Sequence, residues 1–162
     1  MAGMKPMTDH VIEVSRSTDS LDEEPDERRV TDWLCAALDA LEQPPSEVSV
    51  RIVDVDEMTA LNNEYRQKPA PTNVLSFPAG LTADGMTFLG DIVICSEVVR
   101  DESLAFAKDF SHRYAHMLIH GLLHLLGRDH QDDAERLQME AEEQSLLAAF
   151  NIPNPYEVQN AS

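Results

Sequence analysis

Residues 120–130 run HGLLHLLGRDH and put three imidazoles into eleven positions. Around them Tyr114, Met117, Leu118, Leu122 and Leu125 recur at helical spacing. A helix is therefore expected over 111–126, with His120 and His124 four apart on one face. Gly127 ends it, because glycine takes the left-handed cap conformation at little cost and turns the chain so that His130 approaches the other two. Three neutral imidazoles suit zinc, and three protein ligands leave a fourth tetrahedral position open, as catalytic rather than structural sites do. The expected site is one zinc ion per chain at a helix C-terminus, held by His120, His124 and His130.

A lone histidine in an apolar helix is more often a hydrogen-bonded core residue than a ligand. Three at this spacing, with a glycine at the reversal, favour the metal. The spacing His-x3-His-x2-Gly-x2-His is also that of metzincin proteases, but those enzymes place a glutamate base directly after the first histidine, where this chain has Gly121. His116 lies one turn further up the same stripe. Three ligands on consecutive turns of a straight helix point along a line, so His116 is expected beside the ligands or facing the substrate. Asp129 either orients a ligand imidazole or is a solvated turn residue.

The chain has 162 residues, of which 43% are hydrophobic, enough for a single domain, 1–162, with a real core. An acidic loop is expected at 16–27 and a last helix at 131–150. No apolar run approaches the roughly 18 residues of a membrane span, and the start MAGMKPMTDH lacks the apolar centre of a signal peptide. A cytoplasmic location with no membrane contact is the expectation. Cys35 and Cys95 are expected to be reduced core residues. The net charge of −18 argues against DNA binding and against tight nonspecific RNA binding. Most of the excess lies outside the histidine segment: residues 1–50 carry 12 acidic against 4 basic side chains, and 131–162 carry 7 against 1.

Periodicity places strands at 10–14, 48–53, 74–77 (closed by Pro78) and 89–95, and helices at 29–41, 54–66, 96–108, 111–126 and 131–150. Residues 67–73 form a loop and 81–86 a hairpin connection. Met139, Leu146 and Leu147 face inward on the last helix. The interleaving predicts an α+β or α/β arrangement, a single layer of about four strands packed against helices, with its strand order open.

Three blocks, LNNEYRQKPAPTNVLSFP (61–78), LGDIVIC (89–95) and AHMLIHGLLHLLGRDH (115–130), together resemble the YbeY-type bacterial endoribonucleases that mature ribosomal RNA. They cover about a quarter of the chain. The resemblance implies zinc on His120, His124 and His130, a catalytic Arg66, and a mixed four-stranded sheet surrounded by helices. It also implies single-strand-specific cleavage in small-subunit ribosomal RNA 3′-end maturation and a part in ribosome quality control. The implied partners are single-stranded ribosomal RNA and the ribosome or its small subunit, with a ribosomal protein or GTPase as candidate adaptor. The family commonly has glycine after its counterpart of Arg66 and a lysine before the threonine, where this chain has Gln67 and Ala70. Thr72 and Asn73 match a common variant.

Zinc lowers the pKa of bound water from about 16 to about 7, which would make hydroxide available without a glutamate base, or it polarises a phosphoryl oxygen. Arg66 would then neutralise charge on the phosphorane, its planar fork matching phosphate oxygens. Taken without the resemblance, Arg66 reads as an exposed residue favourable to a helix C-terminus. The nucleophile, zinc hydroxide or the RNA 2′-hydroxyl, stays open. Ser76 and Phe77, at the end of a short strand, are placed to bind or stack an unpaired base, with core packing the favoured role for Phe77. The rival readings are a non-enzymatic ribosome-assembly factor with a structural zinc and, disfavoured by Gly121, a metalloprotease.

Overall fold

The structure, a computed structural model, describes residues 9–157; residues 1–8, on which the reading of the N-terminus rests, lie outside them. The elements follow as β1 (Val11–Arg16), α1 (Glu27–Ala40), β2 (Ser46–Val53), α2 (Val55–Arg66), β3 (Val74–Ala83), β4 (Met86–Cys95), α3 (Ser96–Ala105), α4 (Phe110–Leu125) and α5 (Asp133–Ala148). They build an α+β fold on one mixed sheet of order β1-β2-β4-β3. β1, β2 and β4 run parallel, and β3 returns antiparallel along the edge of β4. Four helices begin at an aspartate, Asp26, Asp54, Asp109 and Asp132, whose carboxylate accepts a backbone N–H of the first turn. Each such cap is worth about 1 kcal/mol.

Strand alternation divides the core between the two faces of the sheet. Val48, Val50, Ile52, Ile92 and Ile94 join the side chains of α1, α4 and α5 in the larger cluster. Val53, Leu75, Val93 and Cys95 meet Met58 of α2 in the smaller one. α4 is the central helix, buried from Tyr114 to Ile119 and again from Gly121 to Leu123, as an all-round apolar helix must be. Both cysteines are free, Cys95 fully buried and Cys35 partly. No helix among the described residues is long and apolar enough to cross a membrane.

Two expectations are corrected. The strand read as 74–77 and closed by Pro78 continues to Ala83, so most of 81–86 is strand rather than connection. Asp84 (φ 53°) and Gly85 (φ 76°) both take positive φ at the turn, the conformation for which Asp-Gly is favoured in two-residue hairpins. Pro78 is tolerated because β3 is an edge strand and its register shifts between Pro78 and Leu81. The helix read as 96–108 stops at Ala105. Ala107 turns left-handed (φ 53°), and the Lys108 N–H bonds back to the Ser103 carbonyl at 2.8 Å.

Candidate metal centre

α4 ends in a double reversal. Gly127, at φ 90°, donates its N–H to the His124 carbonyl at 3.0 Å, and Arg128 donates to the Leu123 carbonyl at 2.9 Å. This is the paired cap that a left-handed glycine permits. The Arg128 guanidinium then grips the Glu142 carboxylate of α5 through Nε (3.1 Å) and Nη2 (3.0 Å). Asp129 is exposed, and its carboxylate accepts the His130 backbone N–H at 2.7 Å. Among the described residues it bonds no ligand ring. Its observed work is to shape the turn that delivers His130.

The His130 ring arrives 5.9 Å from that of His120 and 5.2 Å from that of His124, centroid to centroid. One nitrogen from each of the three lies within 4.8 Å of the others, so the set can hold a metal ion. The Nε2 atoms of His120 and His124 face each other at 3.1 Å. Two imidazole nitrogens on a tetrahedral zinc at 2.0–2.1 Å stand roughly 3.3 Å apart, so the spacing fits without rearrangement of α4. Burial lowers the pKa of His124, and the neighbouring His120 and His130 lower it further. At neutral pH that ring therefore keeps its lone pair.

Behind the imidazoles lies a carboxylate that the sequence reading passed over. Glu143 of α5 is 1% exposed. Its Oε2 accepts from His120 Nδ1 at 2.6 Å, its Oε1 contacts His116 Nε2 at 3.0 Å, and the Tyr156 hydroxyl donates to the same Oε1. Burial pushes this carboxyl up, but the hydrogen bonds from His116 and His120 outweigh it and hold the pKa at about 2. The Tyr156 phenol is pushed up by its own burial and by the adjacent Glu143. The signal was present in the chain. Met139, Leu146 and Leu147 leave the four-residue position of their stripe to Glu143, a charge on an apolar face. His116 is 4% exposed and engaged with this carboxylate. The open cleft before the three histidines does not include it.

That cleft is lined by His120, His124 and His130 together with Arg66, Asn73 and Ser76. Arg66 is the last residue of α2 and is exposed. None of the ion pairs among the described residues uses it. Ser76 donates its hydroxyl to the Gly121 carbonyl at 2.8 Å and so ties β3 to α4. Phe77 packs into the α2-side core, edge to face with Tyr65 at 4.9 Å. A Cβ on Gly121 would meet Ile92 Cγ2 at 3.0 Å and Ser76 Oγ at 3.1 Å. This position faces the sheet, so a protease-type glutamate has neither room nor direction there.

Three convergent imidazoles that could hold a metal ion, at an open cleft whose lining includes Arg66, a guanidinium in no ion pair among the described residues, are the donor set a metal-dependent hydrolase of anionic substrates would use. A family model described as Endoribonuclease YbeY matches residues 11–151. A Halorhodospira halophila protein described in the same words is 47% identical over 137 residues, covering 82% of this chain and 88% of its own. One from Chromohalobacter salexigens is 45% identical over 160 residues, covering 94% and 99%. The solution structure of TM1509 from Thermotoga maritima aligns with a TM-score of 0.56 at 21% identity over 94% of this chain and 99% of that one, a likeness of fold. The chain belongs to the endoribonuclease YbeY family.

Gln67 occupies a position where the backbone is left-handed, φ 54° and ψ 36°. That conformation costs an L residue roughly 1–2 kcal/mol, against about 0.4–1 kcal/mol of extra unfolded-chain entropy for glycine. Gln67→Gly is expected to raise stability by about 0.5–1 kcal/mol, read as a higher urea midpoint at unchanged slope.

Proposed function

We propose that this chain is a zinc-dependent, single-strand-specific endoribonuclease that matures the 3′ end of small-subunit ribosomal RNA and serves ribosome quality control. The observation that carries the reading is that His120, His124, His130 and Arg66 line one open cleft of about 420 Å³. Bound zinc would supply a Lewis acid and a water acidified to a pKa near 7. The protein's own part is positional and electrostatic. His120, His124 and His130 would hold the ion, and Arg66, free of any carboxylate, meets the scissile phosphate and neutralises charge that develops as the phosphorane forms. Asn73 and the start of β3 line the same cleft as Arg66. Product ends identify the nucleophile: a 2′,3′-cyclic phosphate means the 2′-hydroxyl, and a 3′-hydroxyl means water.

The test gives zinc-loaded protein single-stranded RNA, double-stranded RNA and casein, each with and without chelator. Cleavage of single-stranded RNA alone, abolished by the chelator, is expected. Casein hydrolysis would replace the reading with a protease, and zinc-replete protein that cuts nothing would leave an assembly factor with a structural ion.

Substrate delivery follows from charge. With −18 overall and Ala70 where the family resemblance leads one to expect lysine, residues 61–80 offer only Arg66 and Lys68 as cations, against Glu64. Phosphate affinity scales with the number of such contacts and falls steeply with salt. Naked single-stranded RNA is expected to bind with a Kd above roughly 1 μM at physiological salt. Cleavage should be faster and more selective when a small ribosomal subunit, or a basic ribosomal protein or GTPase adaptor on it, presents the strand. Submicromolar binding by this chain alone would overturn the argument from charge.

A further inference from the structure

We propose that Glu143 is a positioning residue for the metal centre: with Tyr156 and His116 behind it, it fixes His120 in the tautomer that leaves Nε2 free for an ion. An ionised carboxylate only accepts hydrogen bonds. At 2.6 Å from Glu143 Oε2, His120 Nδ1 must therefore carry the ring proton. Its Nε2 is left with a lone pair, directed at His124 Nε2. The other oxygen, Oε1, takes its donors from two further segments, the His116 ring on α4 and the Tyr156 hydroxyl beyond α5. The same hydroxyl oxygen lies 3.1 Å from His116 Nε2.

Both carboxylate oxygens are thus occupied, and the group cannot rotate without breaking a buried contact. His116 is the prop of Glu143, which accounts for its burial behind the cleft. The carboxylate is 1% exposed, and a cation arriving one imidazole away would offset part of the cost of burying its charge. A carboxylate behind a metal-bound imidazole orients the ring and raises its basicity, and losing such a partner typically weakens metal binding 10- to 100-fold.

The inference rests on the three-histidine site binding zinc, so the experiment carries a control for that. Zinc affinity is measured by competition with a chromophoric chelator for wild type, Glu143→Gln, Glu143→Ala, Tyr156→Phe and His124→Ala, and imidazole ¹⁵N shifts report the His120 tautomer in the metal-free proteins. Glu143→Gln is expected to keep the fold and weaken zinc about 10-fold or more. Glu143→Ala should also shift the His120 proton toward Nε2. If that variant fails to fold, Tyr156→Phe, which removes one hydroxyl at a 40% exposed residue, should still weaken zinc by roughly threefold, a fraction of the same effect. Wild-type zinc affinity and tautomer in the folded Glu143 variants, with His124→Ala deficient, overturn this inference alone. Wild-type affinity in His124→Ala overturns the ligand assignment beneath it.

Discussion

His124→Ala, purified beside wild type and assayed by elemental analysis, is expected to fall from about one zinc per chain to roughly a tenth or less, with RNA cleavage lost in parallel. His124 sits in the last turn of α4, with its Nε2 3.1 Å from that of His120. Removing it leaves one ligand on the helix and one on the turn, 5.9 Å apart by ring centroid, and two ligands do not define a tetrahedron. The fold should survive, because His124 is only partly buried and the α4 cap depends on backbone groups. The lowered pKa of His124 sets the direction with pH. A ring that protonates below the usual histidine range competes with the ion only in acid, so protonation of His124 should not displace the ion at neutral pH, and occupancy should fall on acidification. Full occupancy in the variant would remove His124 from the site.

Arg66→Ala should leave zinc content and unfolding midpoint near wild type while lowering turnover of single-stranded RNA by about 100-fold or more, the scale for a lost transition-state donor. The premise is structural. Arg66 is exposed, lines the same cleft as the three histidines and serves no ion pair among the described residues. Its contribution to the C-terminal end of α2 is about 0.3–1 kcal/mol, screened by salt. Arg66→Lys should recover part of the loss, since it restores the charge but not the planar fork. Normal turnover in Arg66→Ala would return the residue to a helix-end role.

The candidate ligands were legible because their spacing is local: a four-residue step on a helix and a glycine reversal need nothing from the rest of the chain. Arg66 was not legible from spacing. Only the sheet brings the end of α2 to the same cleft, and its candidacy came from resemblance. Glu143 was half legible, as a gap in an apolar stripe, but its partners come from α4 and from beyond α5. Helix starts were readable from four aspartate caps. Helix ends were read to within two residues except at α3, which stops at Ala105 because Ala107 turns left-handed with no glycine to mark the reversal. Strand order escaped the sequence because pairing depends on which apolar faces meet, and the buried β4 reads the same in several arrangements.

The locality of the three imidazoles also bears on chain entropy. All three fall within an eleven-residue segment, so an ion that gathers them closes a loop whose ends are never far apart even in the unfolded chain. Such a closure ties no distant elements together. An unfolded chain that still offers the same local ligands reduces the stabilisation gained by binding the native state. This separates the site from zinc fingers, where the ion supplies the folding energy itself. The ion here should come out and go back in as an exchangeable reagent, with the sheet and α4 standing throughout.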